Sequence, residues 1–428
     1  MTQLLSNICD YINEKIAVNE LSDKNYISTE NMLPNKSGIV KASTLPNMQL
    51  TPAYQENDVL ISNIRPYFKK IWQAEYCGGC SNDVLVLRAK QFVNPKFLYY
   101  VLSEDKFFDY ATATSKGTKM PRGDKSAIMK YGVPEFSEIE QEKIANILFP
   151  IDKKIAINSA TNNNLEQQAQ AIFKSWFVDF EPFGGTMPDN WKVVDLGDIC
   201  NISAGGDKPS KFSVIQTQEF QIPIYSNGIN NEGLYGYTNY AKINNESVTI
   251  SARGTIGYTC LRLNPFFPIV RLICIEPKNR LFSAKYLYQA IKRMDIVGFG
   301  TTQQQITVPY CKTLKILLPS KEYLYKYANI VDRLYKEIFE NKNENIKLIQ
   351  LRDTILPKLM NGEIDVSKVD ISADKLLFSI LVFEHFYIKI VILIGVTINT
   401  MTIFTSNIVK FKLKNLLLLT TKFFFFIN

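Results

Sequence analysis

Lys116, Lys119, Arg122 and Lys125 crowd into one loop punctuated by Gly117 and Pro121, and Arg65, Lys69 and Lys70 form a second basic strip beside Tyr67 and Phe68. Cations at this density suit the neutralisation of phosphate oxygens. Farther along, Thr301, Thr302, Gln303, Gln304 and Gln305 make an amide-rich loop, and Arg253 follows a candidate strand at Ser251. A glutamine can make two hydrogen bonds to an adenine edge, so these side chains suit the reading of bases. The competing reading of each is a solvated loop packed against the start of a helix. For Lys69 and Lys70 a solvated face is the simpler one.

Residues suited to catalysis are missing from the same loops. The single histidine, His385, lies near the C-terminal end, so no histidine triad or histidine base is available to the body of the chain. Gly205-Gly206-Asp207-Lys208 lacks the length and register of a phosphate loop. Cys77 and Cys80 form a lone CxxC with no second ligand pair, which argues against zinc. Asn264-Pro265-Phe266-Phe267 lacks the second proline of an amino-methyltransferase motif and any Gly-rich cofactor turn, and reads as a turn. No catalytic residue, metal or cofactor is expected.

Composition narrows the setting. The formal charge of +8 suggests an acidic partner, but residues 366–428 hold seven Lys against three acids and so carry half of it. Any affinity for DNA must therefore come from local clustering. Seven cysteines without a leader pattern imply reduced thiols and a cytoplasmic protein. After Asp374 the chain turns into a run of Ile, Leu, Phe, Thr, Asn and Lys, in which Ile390 to Val409 is uncharged and about long enough to span a bilayer. Its Thr and Asn content argues against a membrane anchor, and a divergent extension is the more economical reading.

The elements that must position these residues come in two copies. Leu5, Ile8 and Cys9 recur as Leu196, Ile199 and Cys200; Val59 and Ile61 as Val248 and Ile250; Phe97, Leu98 and Tyr99 as Tyr286, Leu287 and Tyr288. Gly117 and Thr118 match Gly300 and Thr301, and Ala145, Asn146 and Ile147 match Ala328, Asn329 and Ile330. The offset drifts from 191 through 189 to 183, as short loop deletions would produce. Each half opens with short strands, among them Val59 to Ile61, Val84 to Leu87, Val248 to Ser251 and Leu272 to Ile275, broken by turn segments such as Cys77-Gly78-Gly79-Cys80. A short helix around Pro95 to Leu102, copied around Ser283 to Ile291, makes each half mixed α/β.

Each half closes on a heptad seam: Ile144, Leu148, Ile151, Ile155, Asn158, Asn162, Leu165, Ala169, Ile172 and Trp176, matched by Tyr327 through Leu359. Arg352 breaks the second seam, where Leu351 could serve instead. In an antiparallel pair Asn158 would meet Asn345 and Asn162 would meet Asn341, each slip of register leaving an amide against Leu or Ile. Two independent helices with exposed Asn is the other reading. Thirty-odd residues make each helix roughly 50 Å long, long enough to space two readers along duplex DNA. Aromatic residues Phe173, Phe177, Phe180 and Phe183 serve either as a partner's docking surface or as a cap on the second half's core.

The chain resembles the specificity subunit of type I restriction-modification systems. The resemblance covers residues 1 to about 374 and rests on the two-module plan, on Ser137-Glu138-Ile139-Glu140-Gln141-Glu142-Lys143-Ile144-Ala145 and Phe173 to Pro182 around the first helix, on Gly300 to Ile306, and on Leu356 to Ile364. The second helix lacks the Glu-Gln pair at its start, having Lys321-Glu322-Tyr323, and the hydrophobic tail is foreign to the pattern. The resemblance implies an α/β protein of two pseudo-repeated target-recognition domains separated by two long antiparallel coiled-coil helices. The expected boundaries are 1–136 and 184–320 for the recognition domains, 137–183 and 321–365 for the spacer helices, and 366–428 for the extension. It also implies that each domain reads one half of a split, asymmetric double-stranded DNA target, that the helices dock methyltransferase (M) subunits, and that restriction/translocase (R) subunits join for cleavage. A non-catalytic adaptor spacing two protein-binding domains is the alternative; a fused enzyme fails on its missing residues.

Overall fold

The computed structural model describes residues 2–279, 282–299 and 304–368. It divides into two compact units, one holding the chain up to Lys154 and again from Leu348, the other Ile155–Lys347. Each unit is built on an antiparallel four-stranded sheet. In the first the order is Cys9–Tyr11, Val84–Ala89, Val59–Ser62, Ile71–Gln73, and in the second Cys200–Ala204, Ile273–Pro277, Ser247–Ile250, Thr259–Arg262. The registers agree as well, since Val59 faces Leu87 where Val248 faces Ile275.

Successive residues of a strand point to opposite faces, and here both faces are covered. Val59, Ile61, Leu85 and Leu87 enter one core with the helix Pro95–Ser103, while Leu60, Trp72, Val84 and Val86 enter another with Ile27, Tyr54 and Cys80. That is why these strands read as unbroken apolar runs. The short helix starts where its cap does: Asn94 accepts from the backbone of Lys96 and Phe97, with Pro95 at the first position. Ser283 does the same for Ala284–Lys292 by accepting from Tyr286 N.

Two-stranded pairs close the units. Thr2–Leu4 pairs with Gly132–Pro134, and Lys192–Asp195 with Lys315–Leu318, so the last strand of each sheet region leads straight into a long helix. The second layers differ. The first unit has Lys15–Ala17, Leu50–Tyr54, Gly78–Cys80 and Tyr26–Ile27; the second has Leu234–Thr238, Ile222–Tyr225 and Phe267–Pro268. The Cys77-Gly78-Gly79-Cys80 segment is thus largely a strand, not a turn, because its glycines admit the side chain of Tyr54 and the backbone of Asn25 where a Cβ would stand. Asn264 and Pro265 bend the chain, and Phe266 and Phe267 are fully buried after them.

The long helices are Glu138–Phe177 and Lys321–Met360, each of 40 residues. The first begins with a capping box: Ser137 N and Oγ donate to Glu140 at 2.8 Å, and Glu140 N reaches back to Ser137 Oγ. Gln141 is buried there, accepting from Asn94 N and donating to Phe136 O, whereas its repeat equivalent, Leu324, is simply apolar core. The helices pack together antiparallel. In the first unit Ile144 and Leu148 share a core with Leu356, Leu359 and Met360; in the second Leu165, Ala169 and Phe173 share one with Tyr327, Val331 and Ile338.

Polar residues fix the seam at its centre. Asn158 donates to Asn345 Oδ1 at 2.9 Å and to Glu344 at 2.7 Å, and Asn341 donates to Asn162 Oδ1 at 2.9 Å. Asn158 and Asn341 are fully buried and their partners half-buried, so each layer pairs an inner amide with an outer one. Arg352 itself occupies the seam, buried and paired with Asp152, and Leu351 is exposed, the reverse of what the heptad suggested. Phe173 and Phe177 are buried against Trp191, Tyr286 and Tyr327, with Phe180 and Phe183 packed on them, so this aromatic run caps the second core.

Among the described residues no helix is long and apolar enough to cross a membrane. The extension after residue 374, including Ile390 to Val409, lies outside the described residues.

Candidate nucleic-acid interface

In the first unit Lys116 and Arg122 close a hairpin through two backbone hydrogen bonds of 2.8 and 2.9 Å, with Gly117 taking the positive φ its turn requires. The hairpin is seated on the end of the central strand. Gly123 N donates to Asn63 O at 3.0 Å, Arg65 N donates to Pro121 O at 2.8 Å, and Ile64 bridges to Arg122. The two basic segments of the sequence therefore meet in one place.

Their charges are not equally free. Arg122 is 58% exposed and holds Asp83 at 3.0 Å through Nη2. Lys116, also exposed, pairs with Asp124 at 2.5 Å, and that contact with the hydrogen bonds from Ser126 and Ala127 holds the Asp124 carboxyl well below the usual range. Lys119 is exposed and has no ion pair among the described residues. Lys125 starts the short helix that Asp124 caps. Arg65 adopts the left-handed conformation, and its Nε is buried without a hydrogen-bond partner among the described residues.

Lys69 and Lys70 turn back onto the protein. Lys69 pairs with Asp105 at 2.9 Å, and Lys36 reaches the same carboxylate at 3.1 Å. Partial burial works against a charge on Asp105, but the two lysines outweigh it and keep its pKa depressed. Lys70 donates to Thr29 O at 2.6 Å, and burial lowers its pKa. Beside this face a cleft of about 430 Å³ opens between the Asn31 to Pro46 loop and Ser81, with Glu30, Lys41 and Asp83 in its lining.

The second unit repeats the backbone pairing that closes the Lys116 to Arg122 loop. Phe299 and Gln305 exchange the same pair of backbone bonds, each of 2.9 Å, and Ile306 N donates to Ala252 O at 3.1 Å. Counted by the repeat, Phe299 stands for Lys116, Gln305 for Arg122, and Ala252 for Asn63. Arg253 lies beside it, half-buried, with Nε and Nη2 both donating to Gln305 Oε1 at 3.1 and 2.9 Å. Gln304 is exposed, while Thr301, Thr302 and Gln303 lie outside the described residues. One frame thus carries Lys and Arg in one unit and an Arg and Gln pair in the other.

Sequence reasoning missed the acceptors. Asp83, Asp105 and Asp124 each hold a cation of the candidate surface; Asp83 and Asp105 act on residues far along the chain, whereas Asp124 lies in the same loop as its partner Lys116. Among the described residues no group of His, Cys, Asp and Glu is arranged to hold a metal ion.

A family model described as the type I restriction modification DNA specificity domain matches residues 5–167 and again 188–348. The chain belongs to this family of specificity subunits. Both hairpins and both asparagine layers fall inside the matched segments. The type I restriction enzyme MjaIX specificity subunit of Methanocaldococcus jannaschii is 27% identical over 312 residues, covering 65% of this chain and 71% of its own. The HindI specificity subunit of Haemophilus influenzae is 24% identical over 455 residues, covering 84% of this chain and 98% of its own. A crystal structure of a type I system S subunit from M. genitalium shares the fold, with a TM-score of 0.54 at 19% identity over 84% of this chain and 96% of that one. This specificity subunit therefore has two copies of the family's domain, each ending on one of two long helices that pack together.

Proposed function

We propose that the chain selects the DNA target of a type I restriction-modification complex, with each recognition domain reading one half of a bipartite, asymmetric sequence. Residues 1–136 and 184–320 are the readers, and 137–183 and 321–365 are the spacers that set the number of unread base pairs. The methyltransferase (M) subunits dock on the helices, and restriction/translocase (R) subunits join for cleavage in the cytoplasm. One observation carries the reading. The same backbone pairing sits on the same strand end in each unit, with Lys116, Lys119 and Arg122 around it in one and Gln304, Gln305 and Arg253 in the other. A shared frame with different donors is what two unlike half-sites require.

The test uses the full chain reconstituted with its methyltransferase subunits. It is expected to shift duplex DNA with an affinity that falls steeply as salt rises, and methylation mapping should return two unlike half-sites with a fixed gap. No shift on a pool of random duplexes at low salt would favour the adaptor.

A further inference from the structure

At the end of the central strand equivalent residues meet in the two units: Ile64 bridges to Arg122 through the backbone, and Arg253 reaches Gln305 through its side chain. Each pair holds one arginine, on the hairpin in the first unit and on the strand end in the second. Both flank the backbone hydrogen bond that seats the hairpin, Gly123 N to Asn63 O or Ile306 N to Ala252 O. Both are also braced by a side-chain acceptor, Asp83 for Arg122 and Gln305 for Arg253.

A braced guanidinium loses little further side-chain freedom when it meets a ligand, and its remaining N–H groups keep the planar fork that matches the O6 and N7 acceptors of guanine. Arg253 spends Nε and one Nη2 proton on Gln305, which leaves its terminal fork open. Arg122 spends only Nη2, and it is the more exposed of the two. We infer that Arg122 and Arg253 are specificity-determining residues, each reading one guanine in its own half-site. The inference rests on the half-site reading above and adds the base and the residues.

The experiment measures methylation by the complete chain with its methyltransferase subunits on a library randomised across both half-sites. In the R122K variant, discrimination at one G·C pair of one half-site should fall roughly ten- to a hundred-fold, with the other half-site unchanged. R253K should do the same in the other half-site only. D83N and Q305A, which leave each arginine in place and remove its brace, should relax the same two positions, and they keep the test open should a lysine variant fold poorly. Uniform loss across the library with a salt dependence shallower by about one phosphate would mark a backbone contact and overturn the inference, while leaving half-site reading intact. Relaxation at an A·T pair would overturn it equally. A wild-type complex that shows no bipartite preference removes the half-site reading and this inference with it.

Discussion

Arg352 of the second long helix reaches Asp152 of the first at 2.8 Å, in a seam position where a heptad calls for an apolar side chain. Asp152 also accepts from the Tyr100 hydroxyl at 2.8 Å, and Arg352 has a second partner in Asp353. Burial opposes the guanidinium charge, but the two carboxylates outweigh it and keep the group firmly protonated. The pair thus ties the short helix of the first recognition domain to both long helices. In the second unit the equivalent of Tyr100 is Gln289, which donates to Tyr335, the equivalent of Asp152, and to the Glu166 carboxylate of the first long helix at 3.1 Å, so the tie is kept without an arginine.

Removing Arg352 leaves the half-buried Asp152 without its counter-charge. Arg352→Ala should destabilise the first unit by about 3 kcal/mol, and Asp152→Leu with Arg352→Leu by much less, since apolar replacement of both groups is close to neutral. Denaturant melts of the two variants check this. Equal losses would show that the ion pair is not what matters there.

How much of this was legible in the sequence follows from how local each signal is. The repeat, the central strands and the long helices rest on ordered matches and on period, and these survive in a single chain. The helix starts at Glu138, ahead of the seam that begins at Ile144, because its first turn is held by Ser137 and Glu140 and not by apolar spacing. Heptad spacing alone leaves Arg352 out of the seam, because its partner lies 200 residues away. Shorter separations, 39 and 36 residues, hid Asp83 from Arg122 and Asp105 from Lys69. The glycine pair at 78 and 79 looked like a turn because close backbone approach and a tight turn both call for glycine.

The asparagine layers make a second prediction. Asn158→Leu removes the donor that Asn345 Oδ1 and Glu344 share and should cost about 1–3 kcal/mol in the second unit. Adding Asn345→Leu should recover most of it by restoring an apolar layer. Hydrogen exchange along residues 155–177 and 321–347 reports the loss and its recovery. A double variant no better than the single would show that the amides do not act as a pair.

Charges already spent inside the protein should matter little to DNA. Lys69→Ala is expected to leave the salt dependence of binding almost unchanged, because Asp105 holds that ammonium at 2.9 Å. Lys119→Ala should make the dependence shallower by about one phosphate contact. Titrations between low and physiological salt separate them, and a larger effect from Lys69 would contradict the assignment.

Thiol chemistry offers a check on the fold itself. Burial pushes Cys9, Cys80, Cys200 and Cys274 up to about 12 and Cys311 up to about 11, while Cys77 is exposed. The thiolate is the reactive form, so alkylation of the native chain near pH 8 should label Cys77 first, and denaturation should open all seven. Peptide mapping after brief exposure reads the order, and early labelling at Cys200 or Cys274 would count against the second unit's core.

The separation of reading from spacing is tested most directly by deleting one heptad from each long helix, at matched positions, and mapping the methylated target of the reconstituted complex. The expected result is the same two half-sites with a different number of unread base pairs between them. Changed bases within a half-site, or an unchanged gap, would contradict it.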